Sequence, residues 1–389
     1  MRLLHTADWH VGKAIRGRSR AEEHRAVLDE IVGISRARSI DVALVAGDLY
    51  DGATPSAEAD DIVYRTLLDL AGVVQHVVVV AGNHDNPNRL AAVRPLLELT
   101  NVHVTPRIAR PADGGILELE IHPGERVRAV LLPFVSQRGI VRAEDLMAHD
   151  ADEHAQKFSD RLVQVVGKLC DNMPGDGVNI LVGHAMVHGG VLGGGERSAH
   201  TIFDYSIPTT AFPSGLHYVA LGHLHRTQEL PAACPVHYCG SPLQLDFGEQ
   251  LDTKSVKVIE ARAGRPAKVE EVPLSRGRKL LTLRGSLDAV ADRIAQRGDD
   301  YLRIELDERP RHGLADEVRE LSPNVVDVRI ANRTDGDGDK RNGPDPGQAD
   351  PIALLDQYLK ERKEGDTEPL KTLFKELLEA DHEAEADRA

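Results

Sequence analysis

The chain has 389 residues, 41% of them hydrophobic and only 4% aromatic, with a formal net charge of −15. Domains usually hold ~100–200 residues, so two domains and a tail are expected, with cores of Val, Leu, Ile and Ala. No apolar run reaches the ~18 residues of a membrane-spanning helix. The acidic balance argues against a surface that is basic throughout, although a cleft can be basic on an acidic protein.

In chain order, residues 1–100 alternate strand and helix patterns: strand 2–6, amphipathic helix 20–38, strand 42–46, helix 55–72, strand 76–81 and helix 88–99. This βαβα order favours an α/β sheet. Strands follow at 101–105, 116–121 and 127–132, a helix at 152–171, and strands at 178–182, 217–221, 235–239 and 254–260. The pattern changes near 275. Strand 279–284, helix 286–297, strand 301–306, helix 313–321 and strand 325–330 predict a small cap of βαββαβ or βαβαβ type. Segment 331–350 reads as a linker, being Gly, Asp, Asn and Pro with almost no apolar residue. Its Asp335, Asp337 and Asp339 do not form a calcium loop, because Lys340 and Pro346 stand where Gly and Glu are required. Residues 351–362 and 368–380 read as two amphipathic helices that cannot form a core alone and are expected to dock on a partner.

Five of the early strands run into metal-ligating residue types: Asp8-Trp9-His10, Gly47-Asp48, Gly82-Asn83-His84-Asp85, Gly183-His184 and Gly222-His223-Leu224-His225. Ligands bind outside the carboxyl ends of strands in open α/β sheets, so these pieces can converge on one crevice. Asp, His and Asn without Cys describe an oxygen–nitrogen site for a hard-to-borderline cation. The three cysteines, Cys170, Cys234 and Cys239, form no CxxC pair and read as ordinary thiols. Two-metal hydrolases hold their ions ~3.5–4 Å apart. Asp48 is the candidate bridge, and His223 and His225 can divide between the two ions. His84 reads as a general acid rather than a ligand, since its unperturbed pKa lies near working pH. Asp85 is expected to fix the His84 tautomer. His5, His24, His76, His103, His122, His149, His154, His217 and His237 lack such context and read as structural. Lys13, Arg16, Arg18 and Arg20 follow the first metal loop and are candidates for phosphate contacts. The glycine-rich stretch 189–195 suggests a loop over the substrate. No GxxxxGK[ST] occurs, so any ATP dependence has to come from another chain. The N-terminus runs straight into the first motif; a cleaved leader would remove ligands, and a cytoplasmic location is expected.

The GNHD and GHLH elements resemble those of the calcineurin-like metallophosphoesterases across residues 1–226. Within that superfamily, LLHTADWHVGK, GDLYDGATPSAEA, AGNHD, YVALGHLHRTQ and YCGSPLQLDFGE at 238–249 are similar to the SbcD family. The resemblance implies a sandwich of two β-sheets flanked by helices over 1–274, a DNA-binding cap at 275–330, a linker at 331–350 and a helical partner-docking tail at 351–389. It implies one ion held by Asp8, His10, Asp48 and His225, and a second by Asp48, Asn83, His184 and His223, with His84 aiding catalysis. Manganese, a homodimer, an SbcC-like ATPase partner, and 3′–5′ exonuclease action on duplex DNA with endonuclease action on single strands and hairpins, in DNA repair and recombination, are implied with it. Two other readings stay open: a small-molecule phosphatase or cyclic-nucleotide phosphodiesterase on the same scaffold, and a non-enzymatic DNA-end-binding scaffold. The second is disfavoured by the cost of burying so many ionisable groups without metal.

Overall fold

The computed structural model describes residues 1–136, 151–171, 173–196 and 206–330, together with Leu355, Leu359, Leu370, Leu373 and Phe374. The expected linker 331–350 lies outside the described residues. Of the expected tail, only those five positions are described, and each is helical.

Two six-stranded sheets form the body. In the first, β1 (Arg2–Thr6), β4 (Val42–Val45), β5 (His76–Val80) and β6 (Val102–Thr105) run parallel, and β13 (Ser255–Arg262) and β14 (Arg265–Pro273) continue antiparallel beyond β1. In the second, β8 (Glu125–Leu132), β9 (Val178–His184), β10 (Tyr218–Gly222) and β12 (Val236–Tyr238) run parallel. The antiparallel strands β7 (Ile116–His122) and β11 (Gln228–Leu230) form its edges. Buried parallel strands read as continuous apolar runs, and the VALV of β4 and the VVVV of β5 are of this kind.

Residues alternating along these strands face opposite ways, so each sheet supplies two apolar faces. The inner faces meet in one core containing Leu3, Leu44 and Val78 from the first sheet and Ala129, Ile180 and Ala220 from the second. His5 crosses this core. Its Nε2 donates to the Leu221 carbonyl (3.1 Å) and its Nδ1 accepts from the Tyr218 hydroxyl (3.0 Å). A neutral, fully satisfied imidazole results, and burial pushes its pKa down to about 3. The outer face of the first sheet is covered by α1 (Ala21–Ala37), α2 (Ala57–Ala71) and α3 (Pro87–Leu97). Helix α2 begins at Ser56, whose side chain accepts from the Ala59 N–H, and buries Ile62, Val63, Leu67 and Leu70 at helical spacing. The outer face of the second sheet is covered by α4 (Ala151–Leu169) through Phe158, Leu162 and Val166.

Beyond β14 the chain forms β15 (Leu280–Gly285), α5 (Leu287–Ile294), β16 (Tyr301–Leu306), α6 (Leu314–Leu321) and β17 (Val325–Ile330). The three strands are parallel in the order β15–β16–β17. This is the βαβαβ form of the two expected, with its own core of Leu283, Val290, Ile304, Leu306, Leu314 and Val318. The sequence pattern missed β14. That strand lies at a sheet edge, is largely exposed and carries Pro266 and Pro273, so it lacks a buried stripe. It also missed the hairpin of β2 (Ala14–Ile15) and β3 (Arg18–Ser19), too short to show a period.

Candidate metal centre

All five ligand-bearing segments lie at or just past the carboxyl ends of parallel strands: β1, β4 and β5 in one sheet, β9 and β10 in the other. The two sheets are stacked, so their strand ends share one mouth, and the side chains meet there. Asp8, His10, Asp48, His184, His223 and His225 are all buried.

The backbone is bent to make this possible. Asp8, His10, Asp48 and His223 have φ of 53°, 47°, 54° and 106°. Non-glycine residues seldom adopt positive φ, and such strain clusters at functional sites. Here it turns each chain sharply after its strand, so that the side chain points inward across the mouth. Glycines give the clearance: a Cβ on Gly82 would overlap the Asp48 carboxylate, and Gly47 sits at φ +88° against His184. Downstream of Asn83, the Asn86 side chain accepts from the Asn88 and Arg89 N–H groups and starts α3, with Pro87 in its first turn.

Asp48 is the hub. Its Oδ2 lies 3.4 Å from His10 Nε2 and 3.4 Å from His184 Nε2, and its Oδ1 accepts from the His84 N–H at 2.8 Å. On one side of Asp48, Asn83 Oδ1 sits 2.9 Å from His184 Nε2 and 2.8 Å from His223 Nδ1. On the other, His10 Nε2 faces His225 Nε2 at 3.1 Å. Two triads, His10–Asp48–His84 and Asp8–Asp48–His184, have ligand atoms within 4.8 Å of one another.

The tautomers show what the centre is built to hold. His184 Nδ1 donates to the Ala46 carbonyl (2.8 Å), so in the neutral ring Nε2 is a lone pair, yet it faces Asn83 Oδ1 and an Asp48 oxygen. His225 Nδ1 donates to Glu249 (3.0 Å), so its Nε2 lone pair faces another imidazole nitrogen. Asp8 Oδ1 accepts from the His223 N–H (2.9 Å), while Asp8 Oδ2 is buried with no hydrogen-bond partner. Acceptors aimed at acceptors require positive charge between them. Without a cation, protons take that place. Burial opposes a charge on His184, but Asp48 outweighs it and pushes the pKa up to about 9. Burial raises Asp8 to about 7. Asp48 lies well below the usual carboxylate range: burial opposes this, and His184 and His84 overcome it. These residues fit a pair of divalent cations sharing Asp48.

Two sequence expectations are corrected. Asp85 does not orient His84. Its Oδ2 accepts from Gly82 N–H (2.8 Å) and its Oδ1 from Tyr50 N–H (3.2 Å), so it ties the two ligand loops together. His84 Nδ1 instead donates to the main-chain carbonyl of Asp51 (2.9 Å), because the turn after Asn83 sends the two side chains apart. Arg20 is not a surface cation. It is 1% exposed, and its guanidinium is held by Glu23 (2.8 Å) and by the Gln244 carbonyl. Lys13 is half-buried and 3.2 Å from Asp51, Arg16 pairs with Asp327 of β17 at 3.2 Å, and Arg18 is exposed on the β2–β3 hairpin. The end of the glycine-rich stretch 189–195 lies against the centre: Gly195 leaves room for the Glu249 carboxylate, and the next residue, Glu196, accepts from the His225 N–H.

Sequence reasoning missed Asp51, Glu196 and Glu249, which hold His84, the His225 main chain and the His225 ring. Asp51 and Glu249 lie inside the GDLYD and DFGE stretches, but neither ends a core strand, so strand-end reasoning passes over them. Phe134 was also missed. Its ring stacks on His223 with centroids 6.1 Å apart and meets the His184 ring edge-on at 6.2 Å. The cysteines are free and buried, as ordinary thiols.

A buried, Asp-bridged cluster of histidines at the shared mouth of two sheets defines a metal-dependent phosphoesterase centre, and the family described as calcineurin-like phosphoesterase matches residues 1–227. The SbcD subunit of the SbcCD nuclease from Bacillus subtilis (strain 168) is 33% identical over 340 residues, 85% of each chain. The protein of the same name from Rhodobacter capsulatus is 34% identical over 80% of this chain and 78% of its own, and that of Escherichia coli K12 is 30% identical over 76% and 74%. The chain belongs to the SbcD family of the calcineurin-like phosphoesterases.

Proposed function

We propose that the chain is the nuclease component of an ATP-driven DNA-processing complex, cleaving phosphodiester bonds at a centre of two divalent cations. As a member of its family it is a phosphodiester hydrolase and binds divalent metal. The observation that carries the proposal is the arrangement around Asp48: its carboxylate lies 3.4 Å from His10 on one side and 3.4 Å from His184 on the other, and Asp8 Oδ2 is buried without a hydrogen-bond partner.

One cation is assigned to Asp8, His10, Asp48 and His225, and the other to Asp48, Asn83, His184 and His223. Manganese is assigned on the family resemblance, since an oxygen–nitrogen donor set does not by itself select among divalent cations. Two such ions supply an activated water and neutralise the phosphoryl oxygens. The chain's own residues do the rest. His84 has Nδ1 committed to Asp51, and its Nε2 is the atom assigned to carry a proton to the leaving oxygen. His84 is buried, with 8% of its surface exposed. Phe134 walls the His184 and His223 side. Arg18, with Lys13 and Arg16 at the edge, is assigned to DNA phosphates.

The proposed action is that of a 3′–5′ exonuclease on duplex DNA and an endonuclease on single strands and hairpins, and an SbcC-like ATPase is the proposed partner, docked by residues 351–389. The relatives are named as one part of an SbcCD nuclease, which supports a multi-protein setting. Residues 1–274 are assigned to the nuclease domain and 275–330 to a DNA-binding cap. A homodimer is proposed through α2, α3 and the turn after it, where Leu68, Leu96 and Leu99 are exposed at 44%, 69% and 82%. A cytoplasmic location is proposed; among the described residues no helix is long and apolar enough to cross a membrane.

The test is a nuclease assay with Mn2+ on linear duplex, hairpin DNA, cyclic nucleotides and a small chromogenic diester, with and without the cognate ATPase and ATP. Cleavage of DNA that ATP and the ATPase stimulate is the expected result. Turnover of cyclic nucleotides without DNA cleavage would make the chain a small-molecule phosphodiesterase. Metal-loaded protein inert on every phosphoester would make it a binding scaffold.

A further inference from the structure

His225 is gripped at every polar atom except one. Its N–H donates to Glu196 Oε1 (2.8 Å), and its carbonyl accepts from the Ser241 N–H (3.1 Å) and from Lys254 Nζ (3.1 Å). Its Nδ1 donates to Glu249 Oε1 at 3.0 Å, leaving only Nε2, which points at His10 across the centre. Glu249 has no accessible surface. Two donors hold its other oxygen, Lys254 Nζ (2.6 Å) and Leu245 N–H (3.1 Å), while the Ser241 hydroxyl lies 3.4 Å away and donates to the Leu243 carbonyl at 2.8 Å. The carboxylate is thus anchored at one oxygen and presents the other to the imidazole.

The segment carrying Glu249 is itself fastened from outside the centre. Gln244 Oε1 accepts from the Leu280 N–H (2.8 Å) and Gln250 Oε1 from the Thr282 N–H (2.9 Å), both on β15. The Arg303 guanidinium of β16 lies 4.2 Å from the centre of the Phe247 ring. Glu249 therefore cannot swing away from His225 without breaking contacts on both sides.

We propose that Glu249 is a positioning residue for metal binding, fixing the tautomer and direction of His225 and raising its basicity toward the cation held with His10. A ligating imidazole whose other nitrogen donates to a carboxylate is a better-oriented and more basic ligand, and loss of such a partner costs ~10–100-fold in metal affinity. The inference rests on the two-cation reading above.

The test is Mn2+ titration of the full chain by calorimetry, with paramagnetic resonance to separate spin-coupled ion pairs from single ions. Wild type, Glu249→Gln, Glu249→Asp and the double variant Glu249→Gln with Lys254→Met are compared. The expected result is a ~10–100-fold weakening of one of two Mn2+ positions in Glu249→Gln. The other position keeps its affinity and the coupled signal gives way to a single-ion signal. The double variant removes the lysine charge that Glu249→Gln strands, and Glu249→Asp keeps that charge while withdrawing the carboxylate. Both are expected to show the same selective loss in folded protein, which a purely structural role would not produce. Wild-type affinity at both positions, or equal weakening of both in folded protein, would overturn the inference. Wild type that binds no ion pair at all would overturn the two-cation reading instead.

Discussion

The two sides of the metal centre are held by different means. On the Asn83–His184–His223 side the His184 ring, from the second sheet, donates to the Ala46 main-chain carbonyl just past a strand of the first. The His10–His225 side rests on side chains. His10 Nδ1 lies 3.5 Å from Asp51, and His225 donates to Glu249. A carbonyl at a core strand end cannot be altered by substitution and moves only with the sheet. A carboxylate on a surface-linked segment can be altered by one substitution or displaced with that segment. One ligand ring is thus fixed to the main chain of the core, and the other to side chains that substitution can change.

The largest expected effect removes what the two sides share. Asp48→Ala should bind neither ion and reduce DNA cleavage to background, read by metal analysis of dialysed protein and by nuclease assay. If one ion remains at full occupancy, Asp48 does not bridge and the sides are independent. Next, His84→Gln should leave both sides loaded and lower the cleavage rate by ~10²–10⁴-fold, the usual contribution of a general acid. An emptied metal position in that variant would make His84 a ligand.

The third prediction separates the sides by pH. His184 has a folded pKa of about 9 against an ordinary value of 6.5. A raised folded pKa contributes stability that is complete below pH 6.5 and lost as pH rises through 9. At about 1.36 kcal/mol per unit, the loss is at most of order 3 kcal/mol. The metal-free protein should therefore melt lower at pH 9 than at pH 7, by calorimetry. Saturating Mn2+ should remove that fall, since metal binding requires the deprotonated ring and strengthens as pH rises. His184→Gln should flatten the metal-free profile. An unchanged slope in that variant would place the titration elsewhere.

The smallest effects lie at the rim. Arg18→Ala should weaken DNA binding modestly and lower the salt slope by about one, with melting unchanged. Arg20→Ala should lower the melting temperature through the Glu23 and Gln244 partners it leaves behind, and alter the salt slope only as far as the fold is disturbed. The reverse pattern would mean that Arg20 reaches DNA after all.

Much of this was legible in the chain. Apolar runs such as Val77–Val80 announce buried parallel strands, and the Asp, Asn and His at their ends announce the crevice, because parallel sheets place successive strand ends on one edge. Edge strand β14 was not legible, since an exposed strand has no stripe to read. Arg20 was misread because four cations within eight residues look alike in sequence, while only a packed structure shows that one of them faces Gln244.

The chain by itself determined the donor types, their order and the strands that carry them, since these follow from local hydrophobicity and side-chain chemistry. Tertiary structure alone decided which nitrogen of each histidine faces inward, that Asp51 rather than Asp85 holds His84, and that Glu249 reaches His225 across 24 positions of sequence. Hydrogen-bond partners are chosen by direction and distance in space, and neither is written in the spacing of residues along a chain.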